Sequence, residues 1–299
     1  MKHNVEELFN DQLGSTAATD TNGRAQLSRD QVISRLRKPA NRTKFTRKLA
    51  AKLTECSLDQ PCSSPACLSC RAVAGHHFVP ATLACFDRFG FVQTPRPAHE
   101  CTKAQRHYFR TAAGREIAYV TIIPLSRIAI GDLCASNKVA KFVKLLRRAL
   151  NVNGVTTSIF ALDVSTHEHA SGKFEPHYKI HAHGFIFLDE FKAAKSALRL
   201  AFPNKGNVKC GVQHKIYDGQ PGAISYLLKE PRDRSIKLDQ ALKNRNRKKA
   251  NRLRSAQHVE ILQWMDHIGL DGRLMVQGDG TQRIRAAMRS ETMLVRGWS

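Results

Sequence analysis

Acidic residues are scarce in this chain relative to basic ones. Only 25 Asp and Glu stand against 48 Lys and Arg in 299 residues, a net charge of +23. So strong an excess of one sign favours a polyanionic partner, nucleic acid first. No run approaches the ~20 apolar residues that cross a bilayer. The opening stretch MKHNVEELFNDQLGSTAATD lacks the apolar centre of a secretory signal. These absences argue against a membrane partner and for a cytoplasmic protein. There is no internal repeat and no Walker A phosphate loop. Eight Cys without an export signal favour metal ligands or plain thiols over disulfides.

What is present divides into four stretches. Residues 1–25 are polar and read as a disordered tail. Residues 26–111 form a basic, Cys-rich N-terminal region: one or two short basic helices over 24–52, a Cys knot, then an irregular segment containing Pro80, Pro95 and Pro97. Residues 112–231 have regular patterning, and residues 232–299 read as a basic helical C-terminal region. Inside 112–231, residues 117–123 (IAYVTII) are β-branched and apolar and stop at Pro124, as a buried strand does. Residues 138–150 place Val139, Phe142, Val143, Leu146 and Leu150 at helical spacing. SIFALDVS (158–165) and KIHAHGFIFL (179–188) read as a hairpin pair. An amphipathic helix (191–202), a fourth strand (208–217) and a short helix (222–229) follow. The order β-α-β-β-α-β-α predicts an α+β domain with a central antiparallel sheet flanked by helices.

The sharpest chemical feature is His181-Ala182-His183. Alternation along a strand puts both imidazoles on one face, about 7 Å apart along it, where they can grip one metal ion. Asp163 is the only acidic residue in its apolar strand, and a metal beside two His would satisfy it. An even register sum between the two strands puts Asp163 on the His face. Should the register differ, Glu168, Glu175, His167, His169 and His177 are the substitutes. Tyr226 and Lys229, at i and i+3, are neighbours on a short helix. A phenol holds its proton to about pH 10, and a nearby ammonium or metal favours the phenolate.

Three motifs in this order resemble the HUH endonuclease superfamily: YVTIIPL, then PHYKIHAHGFIF, then YLLK. The closest likeness is to single-tyrosine rolling-circle replication initiators, and it covers roughly residues 117–231. The resemblance implies a ferredoxin-like HUH domain, with basic N- and C-terminal extensions on this chain. It also implies Mg or Mn held by His181, His183 and a third ligand, which placement assigns to Asp163. Tyr226 would be the nucleophile and Lys229 its helper. The activity implied is nicking and joining of single-stranded or hairpin origin DNA through a 5′-phosphotyrosine, starting replication of a plasmid or phage. One departure is that His177 stands four residues before His181, where many initiators have a His-Pro-His-x-His run. No helicase signature follows, so unwinding falls to a partner, a host helicase.

Basic residues supply candidate DNA contacts: Lys141, Lys144, Arg147 and Arg148 on the helix, and Arg232, Arg234, Arg245, Arg247, Lys248 and Lys249 beyond Pro231. A solvated basic face is the alternative for each. Cys56, Cys62, Cys67 and Cys70 put four thiols within fifteen residues. The Cys67-x2-Cys70 pair has knuckle spacing, which suggests structural Zn, with His76 and His77 as further donors. Two other functional readings fit the same residues: a single-tyrosine HUH transposase, and a non-catalytic DNA- or RNA-binding protein.

Overall fold

A computed structural model describes residues 27–57, 60–86, 115–206, 208–219, 223–224, 226–229, 233–237, 251–278, 281–282 and 284–285. The expected tail 1–25, together with Arg232, Arg245, Arg247, Lys248 and Lys249, lies outside these residues.

The fold is α+β: a mixed sheet flanked by helices. Its long strands are β1 (Ile117–Ile122), β3 (Ser158–His169), β4 (His177–Phe187) and β5 (Val212–Ile216). Two-residue β2 (Ile128–Ala129) pairs with the start of β4. The hairpin of β3 and β4 is longer than its apolar stretches, because pairing carries on through polar residues to His167 opposite His177. β1 lies antiparallel against β4 on one side and β5 on the other.

Beyond residue 231 the expected helical character is present over Ser255–Arg273, but the chain also returns to the sheet before and after it. β6 (Asp233–Lys237), which carries Arg234, runs parallel to β3, so the sheet is mixed and not purely antiparallel. β7 (Asn251–Arg252) pairs with β6, and β8 (Leu274–Gln277) runs antiparallel to the start of β3. β6 and β7 are short and carry basic residues, and β8 has only four residues, so hydrophobic alternation is too brief to announce them.

Alternation gives the sheet two dry faces. Even-numbered residues of β1, β3 and β4 (Val120, Phe160, Leu162, Ile180, Ala182) meet α4 (Lys138–Asn151), α5 (Leu188–Ala201) and α6 (Ser255–Arg273). Odd-numbered residues (Ile117, Ile159, Phe185, Phe187) meet α3 (Leu68–Phe86) through Phe78 and Phe86. The rings of Phe86 and Phe187 sit edge to face at 5.3 Å. α3 occupies part of the segment expected to be irregular. Its Pro80 marks a break in sequence terms, yet burial of Ala74, Phe78 and Phe86 keeps the helix continuous.

α1 (Arg29–Arg37) and α2 (Lys44–Thr54) are the basic helices expected, opened by capping boxes at Ser28 and Thr43. Both pack on α3 and on Val259 and Leu262 of α6. Gly269, at φ 67°, interrupts α6 near its end with a backbone turn that L side chains resist. The final turn thereby brings Leu270 and Arg273 under the odd face of the sheet, away from the rest of the helix.

Candidate metal and tyrosine centre

The odd face of the sheet is covered by α3 at one end. Further along the strands lie Asp163, His181 and His183. Asp163 is the register partner of His181, and His183 lies between Ala161 and Thr121. The expected even register sum is therefore realised, and the substitute ligands are not needed. Glu168 lies on the other face, accepting from Arg254 (3.0 Å) and Gln257 (2.6 Å). His167 stacks on His177 nearer the hairpin tip, His169 bonds Ser171 there, and Glu175 is exposed in the tip.

The two imidazoles converge to 4.7 Å between centroids, nearly perpendicular. Asp163 Oδ2 is 3.4 Å from His181 Nε2 and 4.0 Å from His183 Nε2. One ligand atom from each of the three lies within 4.8 Å of the others, so the group can hold a metal ion. His183 is already oriented for it. Its Nδ1 is 2.9 Å from Thr121 Oγ1, while its buried Nε2 has no hydrogen-bond partner. With Nδ1–H donating to the hydroxyl, Nε2 presents its lone pair to the other two ligands. Tyr119 stacks on the same ring at 6.1 Å. Neither Thr121 nor Tyr119 stood out in the sequence, where both sit inside a strand that reads simply as apolar.

Electrostatics favour a cation here. Burial, helped by the neighbouring His181, lowers the His183 pKa to about 3 and keeps the imidazole neutral. Burial opposes ionisation of Asp163, but His181, Lys229 and His183 together outweigh it and hold the carboxyl well below the usual range. Burial likewise opposes charge on Lys229, and Asp163 and Tyr226 overcome it, so the ammonium is held upward.

Tyr226 and Lys229 arrive from outside the sheet. Within the expected short helix, Ala223 and Ile224 are α-helical and Tyr226–Leu228 form a 3-10 turn, with Lys229 just beyond. Leu227 and Leu228 are buried in the odd-face core, which leaves Tyr226, 37% exposed, over the metal-ligand group. Lys229 Nζ donates to Tyr226 Oη and lies 3.2 Å from Asp163 Oδ2. The Tyr226 ring meets His183 edge-on at 5.6 Å. Burial pushes the neighbouring Tyr119 phenol above its ordinary range, so it keeps its proton. Arg273, fully buried, donates to the Lys229 carbonyl at 3.0 Å and reaches the Leu162 carbonyl at 3.4 Å. It ties the Tyr-Lys turn to β3.

All five expected site residues thus meet. Of the candidate DNA contacts, Lys141, Lys144, Arg147 and Arg148 are exposed on α4, across the sheet from the tyrosine. A helical pattern shows which side of α4 is wet but not which sheet face the helix covers.

A second group lies apart, where α2 leads into α3. Cys56, Cys62, Cys67 and Cys70 bring their sulfurs within 4.8 Å of one another and could also hold a metal. His77 lies on α3 beyond this set. Comparison with family models, with curated proteins and with solved structures returns no match.

Proposed function

We propose that this chain is a single-tyrosine HUH-type nickase that cuts one DNA strand and keeps its 5′ end on Tyr226, as in initiation of rolling-circle replication. The observation that carries this reading is one juxtaposition: an exposed tyrosine, bonded to a lysine, over a carboxylate and two imidazoles whose ligand atoms converge. The ferredoxin-like expectation draws support from the order β5-β1-β4-β3, antiparallel throughout, with α4 and α5 in the crossovers.

The residues fit a divalent cation. The unpartnered Nε2 of His183 and the acid–imidazole donor set suit an ion that keeps open positions. Such an ion, Mg or Mn, supplies Lewis-acid polarisation of the scissile phosphate. The chain's own groups do the rest. Lys229 donates to the phenol oxygen, which stabilises negative charge on it as its proton passes to water. Tyr226 Oη attacks phosphorus; the P–O3′ bond breaks, and the departing 3′ oxygen takes a proton from solvent. The phosphodiester survives as a phosphotyrosine, so a free 3′-OH can reverse the step without ATP. Basic residues bind phosphates and make affinity salt-dependent.

Labelled single-stranded DNA bearing hairpins, incubated with Mn or Mg, tests the reading. A covalent adduct that requires metal and disappears in Tyr226→Phe supports it. Binding without an adduct across a broad hairpin pool would replace it with a non-catalytic nucleic-acid-binding module.

A further inference from the structure

The cysteine group carries an inference that does not depend on the nickase reading. Three short sulfur–sulfur separations link all four cysteines, Cys56–Cys70 3.6 Å, Cys62–Cys70 3.6 Å and Cys67–Cys56 3.7 Å, and every other pair lies within 4.8 Å. Four thiolates placed about 2.3 Å from one zinc ion in a tetrahedron are separated by about 3.8 Å. A disulfide would instead draw two sulfurs to about 2.05 Å. Cys56 and Cys70 each approach two other cysteines to within 0.1 Å of the same distance, so no pair is singled out. A four-iron cluster would hold its thiolates farther apart than this. Only a single ion fits inside.

The surroundings suit thiolates. The Cys62 amide donates to Cys56 Sγ at 3.4 Å. Two guanidinium groups fasten the backbone around the sulfurs: Arg29 on the Cys56 carbonyl at 2.8 Å, and buried Arg71 on the Pro65 carbonyl at 3.1 Å. Cys56, Cys67 and Cys70 are nearly fully buried.

The architecture also gives the ion a purpose. The N-terminal unit has helices of nine, eleven and nineteen residues. Its core contains the cysteines themselves, beside Leu36, Leu49, Leu53 and Val73. So small a unit rarely holds together on apolar burial alone, and metals are a common staple. Cys56 and Cys62 follow α2, and Cys67 and Cys70 flank the start of α3. One ion would therefore fix the angle between those helices. The surface so formed then meets α6 through Lys52–Asp266 (2.8 Å), Arg35–His258 (3.2 Å) and Asn41–Ser255 (3.1 Å).

We propose that Cys56, Cys62, Cys67 and Cys70 bind one structural zinc ion, which staples α2 to α3 and thereby shapes the surface that docks on α6. The ion is closed off by four protein ligands and takes no part in chemistry at Tyr226.

Elemental analysis of the full-length protein, purified without added metal, should find one zinc per chain. Titration of the wild type with a mercurial reagent beside a chromogenic chelator should release it. Cobalt exchanged into the protein should give the strong visible bands of tetrahedral thiolate coordination. Hydrogen exchange after chelation should rise across α1, α2 and residues 255–266, while β1, β3 and β4 stay protected. Retention of zinc in a Cys67→Ser/Cys70→Ser double variant would overturn the assignment. So would wild type without stoichiometric metal, or with iron in its place. Unchanged exchange in α6 after zinc loss would overturn the docking role.

Discussion

Lys229 Nζ lies 3.2 Å from Asp163 Oδ2 while donating to Tyr226 Oη, so a single ammonium bridges the candidate metal-ligand carboxylate and the candidate nucleophile. Without a bound cation, Lys229 stands in as the counter-charge of a nearly buried acid. A divalent ion entering the group competes with it for the same oxygen, and the lysine is then left to the tyrosine and the phosphate.

Lys229→Met should separate these two roles. Metal affinity, read by Mn titration, should rise, because Asp163 loses its competing partner. Adduct formation should fall by about 100-fold, the usual scale for losing one group that stabilises a charged transition state. Weaker Mn binding would show that Lys229 organises the ligands and does not compete with them.

The hydroxyl of Thr121 fixes the ring of His183 from behind. Thr121→Val keeps the shape and removes the bond. Outer-shell losses of this kind typically weaken a metal about 10-fold or more, and Mn titration against wild type measures the change. Tyr226→Phe should leave Mn affinity close to wild type in the same assay.

His183 predicts a pH dependence of stability in magnesium-free buffer. Burial depresses its pKa from 6.5 to about 3. Between those values the unfolded chain binds the proton and the folded chain does not, so stability falls as pH drops through this window. The slope from one such group is at most about 1.4 kcal/mol per pH unit. Urea melts from pH 4.5 to 7.5 should show a steeper slope in wild type than in His183→Gln.

Gly184, next to the metal-ligand pair, has no room for a side chain. A Cβ there would lie 2.2 Å from the Ile159 carbonyl oxygen and 2.4 Å from the Phe160 ring. Gly184→Ala must push β3 and β4 apart, and overpacking of this kind costs about 1–3 kcal/mol or more. A lowered melting temperature with loss of Mn binding is the expected result, since Asp163 and His181 are held across the same pair of strands.

Much of this centre could be read from sequence because strand alternation is a strict rule. The parity of 163, 181 and 183 sufficed to put three ligands on one face once β3 and β4 paired. The short spacing from Tyr226 to Lys229 likewise keeps the two together, although the end of the expected helix is a 3-10 turn. What stayed hidden depends on long-range packing. Pro80 disguises α3, whose continuity comes from the phenylalanines it buries. The strands β6 to β8 are too short to show a period. Thr121 gains its meaning only from the histidine beside it, and Arg273 from a carbonyl 44 positions away.

The sharing of α6 among three cores has a consequence for synthesis. Asn41 and Ser255, which meet in the finished protein, are 214 positions apart in the chain. During translation α1, α2 and α3 emerge first and must wait, one flank bare, until α6 arrives to cover Val32, Leu36 and Leu49. The same late segment delivers Trp264 and Met265 to the sheet and Arg273 to the Tyr-Lys turn. A ribosome that stops short of α6 therefore releases a chain with every candidate ligand and the tyrosine already made, but with all three cores still open.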